Sequence, residues 1–454
     1  MYNKNAWSTY TEKEMKQVMD FADGYKKFLS VGKTERECVK LAVKEAKEKG
    51  FKDISEVKSI KAGDKIYATN KGKNVALFVI GKKDIESGLR VLGAHIDSPR
   101  LDIKQNPLYE DNGFALLDTH YYGGIKKYQW VTIPLALVGV VCKKDGSVIE
   151  VNIGNNPDDP VFGISDLLIH LSADQLGKSA AKVIEGEALD LTLGSISKDE
   201  DKNAIKKNIL NILKEKYDIE EEDFLSAELE VVPAGDARDY GLDRSMVAGY
   251  GHDDRVCAYS SMEAVFSAGE CEYTTCAILV DKEEIGSVGA TGAQSMWFEN
   301  IIAELINLQT EYSDLKLRHA FTNTLMLSSD VSAGFDPLYA SVNDPKNSAR
   351  LGNGIVFNKY TGSRGKSGCN DAMPEYFAKL RDVMDTNNIH FQTAELGKVD
   401  QGGGGTIAYI LGNYNMNVID AGLPVLNMHA PMEIISKADL FEAYKAYIAF
   451  CKIA

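Results

Sequence analysis

The chain has 454 residues and a formal net charge of -15, a balance that argues against nucleic acid or an anionic membrane as partner. A hydrophobic fraction of 44% is ordinary for a water-soluble globular protein, and the length calls for about two domains. The longest apolar run, around residues 131 to 142, contains Pro134 and is too short to span a bilayer; the polar N-terminus lacks an apolar signal core, so a cytoplasmic location is expected.

Seven scattered cysteines with no CxxC pair point to reduced thiols, and away from a zinc cluster built on cysteine. Residues 11–29 and 34–49 read as amphipathic helices, the second opened by Thr34-Glu35-Arg36-Glu37. A strand pair follows at 65–69 and 74–80, with Gly72 in its turn. Residues 89–94, LRVLGA, predict a buried strand that ends at His95, Asp97 and Ser98. From about Asn106 the texture changes to short strands, aromatics and glycines, including a hairpin signal at residues 143–146. A polar helix is predicted near 202–216. Residues 106–236 therefore read as an inserted β-rich domain, and 1–105 with 237–454 as an α/β domain with a mostly parallel sheet and helices on both faces.

The α/β pattern resumes after Gly251 with a helix over 254–268. Residues 276–280 predict a buried strand that runs into Asp281-Lys282-Glu283-Glu284. Further helices are predicted at 296–308, 372–386 and from Lys437, with strands at 323–327 and 424–428. Three of these strands end in metal-ligand types, His95, Glu284 and Asp330, and a shorter one ends in His429. Asp253-Asp254 opens a helix. Taken singly, each has an ordinary explanation: a core histidine, a helix cap, a solvated loop. Taken together they fall where parallel strands place their carboxyl ends, along one sheet edge. Imidazole and carboxylate without thiolate suit zinc, cobalt or manganese in an open site. Asp97 is spaced to orient His95. Adjacent strand residues point to opposite faces, so the chain has to be turning at Glu283 for both glutamates to face one site.

The motifs HxDS (His95 to Ser98), DDR (Asp253 to Arg255), KEEIGS (Lys282 to Ser287), SSD (Ser328 to Asp330) and NMHAPME (Asn427 to Glu433), in that order, resemble the aspartyl aminopeptidase family. These are two-zinc exopeptidases related to the tetrahedral-shell aminopeptidases. The resemblance implies that Asp254 bridges two zinc ions, that His95 and Asp330 complete one ligand set, and that Glu284 and His429 complete the other. It implies Glu283 as general base, with Asp97 orienting His95. It also implies a role for His170, either acting on a neighbouring subunit's site or serving as a further zinc ligand, and a large homo-oligomer, a dodecamer. The substrates implied are peptides, cut after an N-terminal residue that in this family can be Asp or Glu. Lys359, Arg364 and Lys366 are the candidate cations for such a residue, with a solvated loop as the ordinary explanation. Two alternatives stand beside this reading: a two-metal exopeptidase of neutral or broad specificity, and a non-catalytic shell protein that keeps the fold.

Overall fold

The computed structural model describes residues 4–198 and 200–454. By compactness the chain divides into two units, one of residues 1–97, 237–428 and 433–454, the other of 98–236 and 429–432.

In the first unit the helices Glu12–Val31 and Glu35–Glu48 each start with a capping box, Thr11 with Glu14 and Thr34 with Glu37. A nine-stranded sheet runs in the order Lys52–Asp53, Lys65–Asn70, Asn74–Val79, Thr274–Val280, Leu89–His95, Leu325–Ser328, Asn417–Gly422, Ile355–Asn358, Phe391–Thr393. The block from Thr274–Val280 to Asn417–Gly422 is parallel throughout. Antiparallel pairs flank it, because Lys65–Asn70 and Asn74–Val79 form a tight hairpin and Ile355–Asn358 runs against Asn417–Gly422. The sheet is therefore mixed, with its parallel part at the centre.

Alternation along Leu89–His95 divides the core. Leu89 and Val91 pack with Ile278, Met326 and the helices Trp297–Gln309 and Asp314–Thr322. Leu92 and Ala94 pack on the other face with Leu279, Leu327 and the helices at 12–31, 252–267 and 437–451. Burying both faces is what makes these strands read as nearly continuous apolar runs. A smaller sheet joins Met246–Gly249, Glu433–Ser436 and Pro424–Leu426.

The second unit holds a six-stranded antiparallel sheet in the order Val148–Ile153, Leu135–Cys142, Ala227–Pro233, Arg100–Asp111, Phe114–Tyr122, Leu191–Gly194. The expected boundary at 106 falls inside the strand Arg100–Asp111, and the compact unit starts at Ser98. The polar stretch near Asn106 instead coincides with an irregularity of register between Ile103 and Leu108. The hairpin signal at 143–146 closes the pair Leu135–Cys142 and Val148–Ile153. Among the described residues no helix is long and apolar enough to cross a membrane.

Candidate metal centre

Register brings the site's residues to one level. Val280 pairs with His95 and Ser328 with Gly93, in parallel strands. Two residues past Ser328, Asp330 thus arrives level with His95. The strand before Glu283 stops at Val280; Lys282 is left-handed at φ 70° and Glu283–Ile285 forms a 3-10 turn. This is the turning that two adjacent glutamates need in order to face one centre.

Two sets of ligand-type atoms lie within 4.8 Å of one another: His95 with Glu283 and Glu284, and His95 with Asp253 and Asp330. His95 Nε2 is 3.1 Å from Asp253 Oδ1 and 3.9 Å from Glu283 Oε2. The other ring nitrogen, Nδ1, donates to the backbone oxygen of Asp97 at 3.0 Å, so Nε2 is the nitrogen available to a metal. Asp97 is fully buried, and its two carboxylate oxygens accept the backbone N–H groups of Glu283 and Glu284, each at 3.2 Å. Asp97 therefore steadies the histidine through its backbone oxygen and the glutamate turn through its carboxylate.

The sequence assigns the bridge to Asp254, and here the structure departs from it. Asp253 carries its Oδ1 to His95 Nε2, while Asp254 points Oδ2 at the His95 backbone N–H, 3.3 Å away. The helix His252–Ser267 opens irregularly: Asp253 has φ -78°, ψ 107° and Asp254 φ -116°, ψ 23°, with a cis peptide between them. Neither residue is helical, so helix spacing does not tell which carboxylate faces the strand ends. Glu433 accepts the Asp253 N–H at 3.0 Å. Nothing in the sequence marks this role for Glu433 beyond its place in the NMHAPME motif.

The electrostatics of the cluster call for a cation. Burial, helped by Asp253, pushes the Asp254 carboxyl well above the usual carboxylate range against the pull of His95. Burial also raises Asp330, with the charges of Asp254, Glu283 and Asp253 adding to it and His95 opposing. Burial disfavours the charged His95 ring, yet the hydrogen bonds it donates to Asp253 and Asp97 and the charge of Glu283 outweigh it and lift the ring well above its ordinary value. Carboxylates crowded around one imidazole are stable as anions only beside a cation. Nitrogen and oxygen donors without sulfur fit zinc.

The remaining candidates are His429, His170, Lys359, Lys366 and Arg364. His429 belongs to the second unit, where its Nδ1 donates to the Gly124 oxygen at 2.8 Å and leaves Nε2 as an acceptor. His170 sits in the short turn Ile169–Leu171 of that unit and is exposed. Lys359 and Lys366 both reach Asp371, at 3.7 and 3.0 Å, and Lys366 lies 3.8 Å from the centre of the Tyr360 ring. The side chain of Arg364 lies outside the described residues.

The sequence profile of the family described as aminopeptidase I zinc metalloprotease (M18) matches residues 28–451. The probable M18 family aminopeptidase 1 of Clostridium acetobutylicum is 59% identical over 453 residues, spanning 98% of this chain and 97% of its own. The crystal structure of an M18 aminopeptidase from Thermotoga maritima superposes with a TM-score of 0.96 at 44% identity, covering all of both chains. A dodecameric yeast aminopeptidase from S. cerevisiae, 19% identical, shares the fold at a TM-score of 0.77, over 95% of this chain and 96% of its own. The family agrees with the resemblance carried by the five motifs: the chain belongs to the M18 zinc metalloproteases and is a zinc-dependent aminopeptidase.

Proposed function

We propose that the chain holds two zinc ions, with Asp253 rather than Asp254 as the shared carboxylate. His95 and Asp330 would complete one ligand set, and Glu284 and His429 the other. The observation that carries this reading is the grouping of His95, Asp253 and Asp330 ligand atoms within 4.8 Å. Asp254 then supports the His95 backbone from behind. Cobalt or manganese would suit the same donors.

Zinc, when bound, supplies Lewis-acid polarisation of the scissile carbonyl and makes water more acidic. Glu283 has the position of a general base, beside the ligand atoms and tethered through its backbone to Asp97. Its carboxylate takes a proton as water oxygen bonds to the peptide carbon. It gives that proton to the nitrogen as the C–N bond breaks, releasing the N-terminal residue and a shortened peptide. Asp97 keeps the His95 ring in one tautomer throughout.

On specificity, Lys359 and Lys366 both pair with the one carboxylate of Asp371, which competes with an acidic substrate side chain for them and so favours neutral N-terminal residues over Asp or Glu. A panel of substrates with N-terminal Asp, Glu, Leu and Met tests this; a preference for Asp or Glu in kcat/KM would contradict it.

A homo-oligomer, a dodecamer like that of the yeast fold neighbour, is also part of this reading, as is a cytoplasmic location. Leu167, Leu168, Ile169 and Leu171 flank His170, each at least 45% exposed in the single chain. Such a strip is what a partner subunit would cover. His170 would then act on a neighbour's site.

The base assignment is tested by a pair of variants. Glu283→Gln keeps the shape and should abolish turnover with zinc content unchanged. Glu284→Gln removes a ligand charge and should lower zinc affinity. The reverse pattern would mean that the two roles are exchanged.

A further inference from the structure

The turn that carries Glu283 and Glu284 is gripped from outside the cluster. Asn74–Val79 pairs antiparallel with Thr274–Val280, Val75 opposite Leu279, so the tip of the Lys65–Val79 hairpin lies beside the point where the glutamate loop leaves the sheet. From that tip Asn74 Nδ2 donates to the Thr291 carbonyl at 2.5 Å, and Asn70 Nδ2 to the Ala290 carbonyl at 2.7 Å. The two asparagines are hydrogen-bonded to each other at 3.2 Å. Lys73, also at the tip, pairs with Glu35 at 2.6 Å and reaches Asp281 at 3.6 Å. Asp281 accepts in turn from Thr291 Oγ1 at 2.6 Å. Lys73, Asn74, Glu35 and Asp281 are all buried.

The loop between these anchors is closed on itself. Asp281 bridges to Gly292, and Ser287 N–H donates to the Lys282 carbonyl at 2.7 Å. Gln294 Nε2 donates to the Gly286 carbonyl at 2.9 Å. A Cβ at Gly292 would strike the Ser287 carbonyl, so only glycine lets the loop fold back this closely. Both feet of a compact loop, Asp281 and residues 290–291, are therefore held by the hairpin, and the glutamates ride on the segment between them.

We propose that the Asn70–Asn74 hairpin tip is a positioning element for the reaction. It would set the placement of Glu283 and Glu284 through Asn74, Asn70 and Lys73, none of which belongs to the ligand set. The proposal rests on the reading of Glu283 as base. Displacing a reacting group by about 1 Å can cost on the order of a hundredfold in rate, which is the scale on which a lost anchor should register.

The test compares Asn74→Ala, Asn70→Ala, Lys73→Met and Lys73→Arg in the full chain loaded with zinc. Asn74→Ala should lower kcat about tenfold to a hundredfold, with KM changed less than about twofold. Zinc content should stay at the wild-type level. Asn70→Ala, which is only half-buried and serves if Asn74→Ala does not fold, should show a smaller loss of the same kind. Lys73→Arg should restore much of the kcat that Lys73→Met loses. Wild-type kcat in both asparagine variants would overturn the proposal, as would a loss of kcat fully reversed by excess zinc. Persistent activity in Glu283→Gln alone would instead overturn the base assignment, and is read separately.

Discussion

At the scale of single residues, the site depends on which way adjacent side chains face. The sequence shows His95, Glu284 and Asp330 as ligand types near strand ends; only His95 lies in a strand, while Glu284 and Asp330 follow strands that stop at Val280 and Ser328. The choice between Asp253 and Asp254 is not legible, because it turns on irregular dihedrals at the start of a helix that no periodicity encodes. The same helix start is stiffened by a buried pair. Tyr25 O–H meets His252 Nδ1 at 2.6 Å, and His252 Nε2 donates to the Val247 carbonyl at 3.2 Å. Burial holds the His252 ring down to about 3, with the Val247 carbonyl opposing, so the ring is neutral at ordinary pH. Its Nδ1 lone pair needs the tyrosine. Tyr25→Phe should therefore cost about 1–3 kcal/mol of stability in urea unfolding, the penalty for a buried acceptor left unpaired. An unchanged midpoint and slope would contradict this.

At the scale of elements, strongly patterned helices were readable and short or polar features were not. The helix Asp314–Thr322 escapes the sequence because it has only nine residues; its sole signal is Ser313, whose hydroxyl accepts from Lys316 N–H. The boundary expected near residue 106 lies inside the strand Arg100–Asp111, where a polar irregularity of register resembles a linker. Packing between the helices at 35–48 and 252–267 makes a pH prediction. Burial, then the hydrogen bond and charge of Glu45, push Glu263 up to about 8, with Lys49 opposing. Unfolded, it titrates near 4.3. Between those two values the folded chain holds one more proton than the unfolded chain, so this group's contribution to stability falls as pH rises from about 5 to about 8. Glu263→Gln removes the penalty. Its Tm relative to wild type should be higher at pH 8 than at pH 5, by a few degrees at most. An equal offset at both pH values would contradict the raised carboxyl.

At the scale of the whole molecule, the role proposed for His170 needs a second chain. Among the described residues His170 joins none of the ligand groups, and it stands among exposed apolar side chains in the second unit. His170→Phe and Glu283→Gln should each be nearly inactive alone. Mixed assemblies should recover part of the activity, since an intact His170 from one chain can serve the intact Glu283 of another. No recovery, with subunit exchange demonstrated, would place His170 in its own chain's chemistry or outside it.

The proposed two-zinc centre around Asp253 makes a definite prediction for the zinc bound per chain. After metal-free dialysis and zinc titration, elemental analysis should give about two zinc ions per chain in the wild type and in Glu283→Gln, and fewer than about one in Asp253→Asn. One zinc or none in the saturated wild type, or two retained in Asp253→Asn, would contradict the account.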